Sequence, residues 1–397
     1  MDLSFGPENE AFRETVRAFL RETWKPMGVE RAELGAYLKA FRKQATEAGY
    51  LYRGVPKRYG GSEQAPDVMK AQVIRDEFGR ARAPMEVPGN GMNMLVPTLL
   101  DRGEDWQKEK FIPPTVAGEI QWAQGYSEPG SGSDLASVRT RGVLQGDNWV
   151  IDGQKIWTSM ADRCQYMFAL IRTEPDAPKH QGISYLLIDL RQPGVTIRPL
   201  KQMTGGSEFA EVFFDNVTTP ADWIVGQRGE GWQVSRSTLK HERASIGNAD
   251  RSEDLVNKLV ELARESTRFG RPAIEDPEIR QDIAALEGWA LAHKYSAFRQ
   301  FSLAADGREP GLMGLLMKLM VTDIGHEAAR IAQELIAEAA LLQPAPPGTK
   351  GRGREKWQDQ IIGSLGVAIA GGASNIQRNI IAERGLGLPR DTTGADA

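Results

Sequence analysis

Between Tyr126 and Asp134 the chain reads Tyr-Ser-Glu-Pro-Gly-Ser-Gly-Ser-Asp. This loop offers the hydroxyls of Ser127, Ser131 and Ser133 beside N–H groups that Gly130 and Gly132 leave open to close approach. Such residues can cradle a polar ligand, and Asp134 can orient the loop by bonding back to it. The same composition also suits a solvated turn, and glycine and serine alone do not separate the two. A second segment, Asp152-Gly153-Gln154-Lys155-Ile156-Trp157-Thr158-Ser159, follows the strand-like run Trp149–Ile151. There Trp157 offers a flat ring a face or an edge, and a hydroxyl two residues on offers one hydrogen bond.

These segments need a scaffold, and the hydrophobic patterning supplies one. With 397 residues, 41% of them hydrophobic, the chain can build two or three domains with sizeable cores. Residues 1–118 read as helical: Phe12, Val16, Phe19 and Leu20 recur at helical spacing, as do Leu38, Phe41 and Ala45. From 119 to 230 short runs rich in β-formers lie between turn signals, at Trp149–Ile151, Tyr166–Ile171, Ile183–Ile188, Val195–Arg198 and Phe209–Phe214. No helix of ordinary length fits among them, which favours a small antiparallel barrel or sandwich over a βαβ nucleotide fold. From 231 to 397 the pattern is helical again, with four long helices that form a bundle. The fold class is therefore α+β, in three domains. The basic, Pro- and Gly-rich connector 343–354 reads as a mobile, solvated linker.

Composition excludes several functions. A net charge of −4 argues against nucleic acid as the main partner, so a polyanionic ligand needs a local basic patch. Cys164 is the only cysteine; it reads as a packed core thiol in a reducing compartment, and no intrachain disulfide can form. The N-terminus lacks the layout of a signal peptide and no apolar run reaches about 18 residues, so no membrane span is expected and the reading is cytoplasmic. No residue is assigned to a metal.

Taken together, the loop and the Trp segment resemble the flavin-binding core of the acyl-CoA dehydrogenase family, whose motifs read T-E-P-x-x-G-S-D and G-x-K-x-W-I-T. Ser127 and Ser159 stand where the family usually has Thr and keep the hydroxyl. The C-terminal run Ser374-Asn375-Ile376-Gln377-Arg378 resembles the family's closing S-x-I-Q-R signature, and the order of helices, strands and bundle matches over nearly the whole chain. The resemblance implies FAD, bound by Tyr126, Ser127, Gly132 and Ser133 in the loop. It also implies flavin contacts from Trp157, Thr158 and Ser159, from Gln124 at a position where aromatics are common, and from Ala373, Ser374 and Asn375. Ser133, Lys240 and Arg243 match positions near the acyl-CoA substrate, and an electron-transfer flavoprotein is the implied electron acceptor.

Family members remove a proton from the α-carbon of an acyl thioester while the β-hydrogen leaves as hydride to the flavin, which needs one carboxylate base. In many members this is the Glu of Y-E-G-T-S; here that position is Gly371, which can offer only its backbone N–H to the thioester carbonyl. In the isovaleryl and long-chain branches the base lies instead in an L-E-R segment on the first bundle helix, which matches His241-Glu242-Arg243. The resemblance thus makes Glu242 the base; the alternative is an exposed helix residue paired with an arginine.

Two departures bear on assembly. The R-x-x-F-G segment that contacts a neighbouring subunit's flavin has Ser266 at the Arg position, and the Q-x-x-G-G-x-G segment reads Glu334 to Ala340 without glycine, with Glu338 near the expected diphosphate. The expectation is a homotetramer, or a heterotetramer with a homologous subunit. The function that follows is acyl-CoA dehydrogenation; an oxygen-using relative on the same fold, such as an oxidase or monooxygenase, and a non-catalytic partner subunit are the alternatives.

Overall fold

The computed structural model describes residues 5–246, 248–305, 307–308, 311–342 and 355–389, so the connector 343–354 lies outside the described residues. The chain forms two compact units, one of residues 1–200 with 208–241, the other of 201–207 with 242–397.

The first unit opens with helices α1 (Gly6–Thr23), α2 (Leu34–Glu47), α3 (Val68–Ala81), α4 (Val96–Arg102) and α5 (Asp105–Val116). Their apolar faces, including Val16, Phe41, Phe78 and Phe111, bury against one another and against Trp122, Phe168 and Tyr185 of the sheet that follows. Asp67 caps α3 by accepting the Lys70 N–H at 2.9 Å. The buried carboxylate Glu77 binds Arg13 at 3.0 Å and Arg17 at 2.8 Å, joining α3 to α1.

The sheet consists of β1 (Trp122–Gly125), β2 (Arg141–Gln145), β3 (Asn148–Ser159), β4 (Tyr166–Arg172), β5 (Ile183–Asp189), β6 (Val195–Leu200) and β7 (Phe209–Pro220). It is a curled, seven-stranded sheet in the order β1-β4-β2-β3-β7-β6, with β5 beside β4. The sequence reading of purely antiparallel strands is corrected here. Strand β1 runs parallel to β4, Trp122 opposite Tyr166, and β2 meets β4 in parallel at Arg141 and Arg172. Four residues without β-branched side chains left β1 silent to pattern reading, and the long connection that a parallel neighbour needs is residues 126–165, which carry β2 and β3 between β1 and β4. The strand recognised at Trp149–Ile151 runs on to Ser159, past Gly153 at φ +144°, where an added Cβ would come within 2.7 Å of Thr140 Cα. Cys164 packs against the sheet core and donates to the Met160 carbonyl at 3.2 Å, and burial pushes its thiol up to about 11.

Helix α6 (Gly231–Ile246) begins in the first unit, where Val234 joins the core. The second unit contains α7 (Asp250–Glu265), α8 (Pro277–Ala305), α9 (Leu312–Ile336), α10 (Glu355–Val367) and α11 (Ser374–Ile380). Leu259, Ile283, Leu286, Ile331, Leu335 and Trp357 form its core, the packing that the apolar stripes of these helices require. Among the described residues no helix is long and apolar enough to cross a membrane.

Candidate active site

The 126–134 loop is held by a buried ion pair. Lys155 Nζ lies 2.7 Å from Glu128 Oε1 and also donates to the carbonyls of Leu170 at 2.6 Å and Tyr126 at 3.4 Å. Glu128 in turn accepts the backbone N–H groups of Arg139 at 2.6 Å and Thr140 at 2.9 Å. Burial pushes the Lys155 ammonium down to about 8, with Glu128 opposing; for Glu128 burial is outweighed by Lys155 and its hydrogen bonds, and its carboxyl is held below the ordinary range. Both groups are therefore charged near neutral pH, with the lone pairs of one met by the protons of the other. Sequence reading quoted these residues only as letters of the motifs. The strand legible in the sequence stopped at Ile151, so nothing there marked Lys155 as an inward, buried position.

Within the loop, Glu128 and Ser131 exchange both backbone hydrogen bonds, at 2.9 and 3.0 Å. The Ser131 hydroxyl is spent internally on the Asp134 carbonyl at 2.7 Å. Asp134 accepts the Ser137 hydroxyl at 2.5 Å and Lys179 Nζ at 2.6 Å; Lys179 and Ser137 lower its pKa. The Asp134 carboxylate thus bonds beyond the loop, to Ser137 and Lys179, and it is the backbone carbonyl of Asp134 that meets Ser131 within it. Ser133 is exposed, and a Cβ on Gly130 or Gly132 would meet nothing within 4 Å. Nothing in the chain's own packing demands glycine there; a ligand lying on the backbone would.

The Trp segment is bound to this loop. The Ile156 N–H donates to the Ser127 carbonyl at 2.9 Å, exactly where pairing of β3 with β7 is interrupted between Lys155 and Thr158. This bulge turns Trp157 outward: its φ is +59°, its side chain is 59% exposed, and its ring meets Phe209 edge-on at 6.0 Å. A left-handed bulky residue is strained, and Met160 at φ +54° adds a second such position. Between them, Thr158 is fully buried and its hydroxyl has no hydrogen-bond partner in the structure. An exposed indole, an orphaned hydroxyl and an open glycine loop together fit a planar cofactor with polar substituents.

Other predicted residues fall elsewhere. Tyr126 is buried, its ring edge-on to Phe168 and Tyr185, so it faces the core, and Gln124 lies on β1 opposite Phe168. Lys240 sits on an exposed face of α6, and Glu242 and Arg243 lie in the last turns of that helix. In the second unit, Gly371, Ala373, Ser374 and Asn375 come together on the turn that opens α11. Asn375 is exposed and accepts Arg378 Nη1 at 3.3 Å.

The departures noted in sequence have structural counterparts. Ser266, at the Arg position, is 1% exposed with an unpartnered hydroxyl. Arg268 cannot replace the missing arginine freely, because it pairs with Glu278 at 2.8 Å and Asp276 at 3.6 Å. Ala337 stands at a family glycine position and still has φ +46° and ψ −124°, a conformation suited to glycine.

In chain order, helices, a curled sheet with the exposed Trp157 and open glycine loop, and a second helical unit are the arrangement of an acyl-CoA dehydrogenase class of fold. The family descriptions agree: the acyl-CoA dehydrogenase N-terminal domain matches residues 6–119, the middle domain 123–217 and the C-terminal domain 229–386. The chain belongs to the acyl-CoA dehydrogenase family, a membership that implies FAD. The acyl-CoA dehydrogenase IpdE1 of Mycobacterium tuberculosis is 37% identical over 400 residues, covering 97% of this chain and 99% of its own. IpdE1 of Mycolicibacterium smegmatis is 38% identical over 410 residues, covering 98% and 100%. Among solved structures, the ChsE4-ChsE5 complex from Mycobacterium tuberculosis superimposes with a TM-score of 0.78 at 30% identity, covering 98% of this chain and 100% of that one. The Tcur3481-Tcur3483 steroid ACAD does so with a TM-score of 0.78 at 29% identity, over 98% and 100%.

Proposed function

We propose that this chain carries out FAD-dependent α,β-dehydrogenation of an acyl-CoA thioester to the trans-2-enoyl-CoA. The observation that carries the reading is the bulged Trp157, strained and exposed beside the orphaned Thr158 hydroxyl and tied through Ile156 to the Ser127 loop. Trp157, Thr158 and Ser159 would hold one side of the flavin, and the 127–133 loop its polar portion. The chemistry FAD supplies when bound is acceptance of the substrate β-hydrogen as hydride. Glu242 takes the α-proton, so the Cα–H electrons become the new Cα=Cβ bond as the hydride departs. The Gly371 N–H binds the thioester carbonyl and stabilises the enolate-like charge that develops there. Lys240, Arg243 and Ser133 contact the coenzyme A ester. The division into residues 1–118, 119–230 and 231–397 assigns these roles to the middle and C-terminal domains, and an electron-transfer flavoprotein receives the electrons.

The acyl group we favour is bulky and alicyclic, by likeness to a steroid-acting neighbour. We also propose a heterotetramer with a homologous subunit. It is supported by the buried Ser266 in place of an outward arginine, by the exposed carboxylate of Glu338, and by likeness to a two-component complex. The test is anaerobic titration of the purified protein with a panel of acyl-CoAs. Bleaching of the flavin by a bulky alicyclic acyl-CoA, with slow reoxidation in air, is expected; a flavin that no acyl-CoA bleaches would refute the dehydrogenase reading, and fast reoxidation in air would favour an oxidase. Protein produced alone should be half-loaded or empty and fill when the partner is added, whereas one flavin per chain would defeat the heteromeric assembly.

A further inference from the structure

We infer that Lys318, on α9, is the positioning residue for the Gly371 N–H, an inference that rests on the reading of Gly371 given above. Lys318 is 3% exposed, and its Nζ donates to the Ala368 carbonyl at 3.3 Å. The same oxygen accepts the Ser374 N–H at 2.9 Å and the Ser374 hydroxyl at 3.3 Å. Three donors, two from the end of the turn and one from a different helix, converge on the carbonyl where the turn begins. The span from Ala368 to Ser374 is thereby closed on itself and anchored to α9.

Gly371 and Gly372 lie inside that span, at φ +63° and +97°. Glycine reaches these angles without strain, but it has no side chain that packing could hold, so the direction of its N–H depends on how the ends of the turn are fixed. On one side the turn is already tight: a Cβ on Gly372 would lie 2.3 Å from Gln377 Nε2. At the Ala368 end the N–H groups of Ile369 and Ala370 donate to the Gly366 carbonyl at 3.1 and 3.0 Å, and Lys318 adds a grip from a different helix.

The choice of an ammonium for this grip is informative. Burial pushes the Lys318 pKa down, Asp323 opposes and Arg378 reinforces the shift. Asp323 itself is turned to Arg378 at 3.9 Å, and among the described residues no carboxylate pairs with Lys318. A buried cation without an ion pair is costly where Met or Leu would fill the same space. What it provides in return is a charge-assisted hydrogen bond, stronger than a neutral donor could make, on the carbonyl that sets the turn.

The test uses the flavin-loaded protein, with its partner subunit if loading requires one, and 3-cyclohexylacryloyl-CoA carrying ¹³C at the thioester carbonyl as the infrared probe. Wild-type protein should shift the carbonyl stretch to lower frequency on binding. Lys318→Met should give a smaller shift and reduce its flavin with 3-cyclohexylpropanoyl-CoA about 10- to 100-fold more slowly, while ligand affinity changes less than about threefold. Lys318→Gln keeps one donor for Ala368 and should fall between; it decides the question by the same readings if the Met variant does not hold flavin. A full carbonyl shift and a wild-type rate in the variant overturn the role of Lys318 and leave Gly371 standing. No carbonyl shift in the wild-type protein overturns the Gly371 reading, and this inference with it.

Discussion

Lys155 Nζ meets Glu128 Oε1 at 2.7 Å with both side chains buried, and this one contact joins the glycine–serine loop to the strand that carries Trp157. Because Lys155 also binds the Leu170 and Tyr126 carbonyls, it ties the loop to β4 as well. Removing one partner leaves a buried charge uncompensated, so Glu128→Gln should destabilise the protein by about 3–5 kcal/mol, read by chemical denaturation. A loss below about 1 kcal/mol would show that the pair does not organise the loop.

Acid should unfold the first unit through the same kind of group. At Glu77 burial is outweighed by Arg17 and Arg13, as it is at Glu128 by Lys155, so both carboxyls lie below their ordinary 4.5 in the folded state. A depressed folded value means the stabilisation is present in full above the unfolded pKa and is lost as pH falls from there through the folded one. The thermal midpoint should therefore fall steeply below about pH 4.5, and less steeply in Glu77→Gln, which has already lost its share. Identical acid profiles for the two proteins would count against this account.

Trp157→Ala should keep the fold, because a 59%-exposed side chain contributes little to the core, yet weaken FAD binding by about tenfold or more. Flavin content after dialysis and a fluorescence titration of the apoprotein are the measurements. Unchanged affinity would move the flavin away from this residue.

For the base, Glu242→Gln preserves shape while removing the proton acceptor. Acyl-CoA should still perturb the flavin spectrum, and flavin reduction should slow by a factor on the order of 10² to 10⁴. Stopped-flow reduction at the wild-type rate would remove Glu242 from the mechanism.

Ala337→Gly tests the glycine-like turn at the end of α9. At φ +46° and ψ −124° alanine is strained, so glycine should raise stability by about 1 kcal/mol despite its greater freedom in the unfolded chain. A lower thermal midpoint in the variant would contradict the strain.

The α+β class and the helical character of both ends were legible in the sequence, because each rests on short-range properties. Val16 and Leu20 repeat at helical spacing whatever surrounds them, and Gly132 and Ser133 offer open backbone and a hydroxyl wherever the chain goes. What only the tertiary structure decided were relationships between distant residues. The parallel pairing of β1 with β4 depends on a partner more than forty positions away along the chain, which no local period encodes. The outward turn of Trp157 comes from a bulge set by the mismatch of β3 with β7, and the same pattern of letters would run straight in a regular strand. The burial of Lys155 and Lys318 was hidden for a related reason: lysine is ordinarily a surface residue, and only the fold supplies the Glu128 carboxylate and the Ala368 carbonyl that let these two ammonium groups leave water.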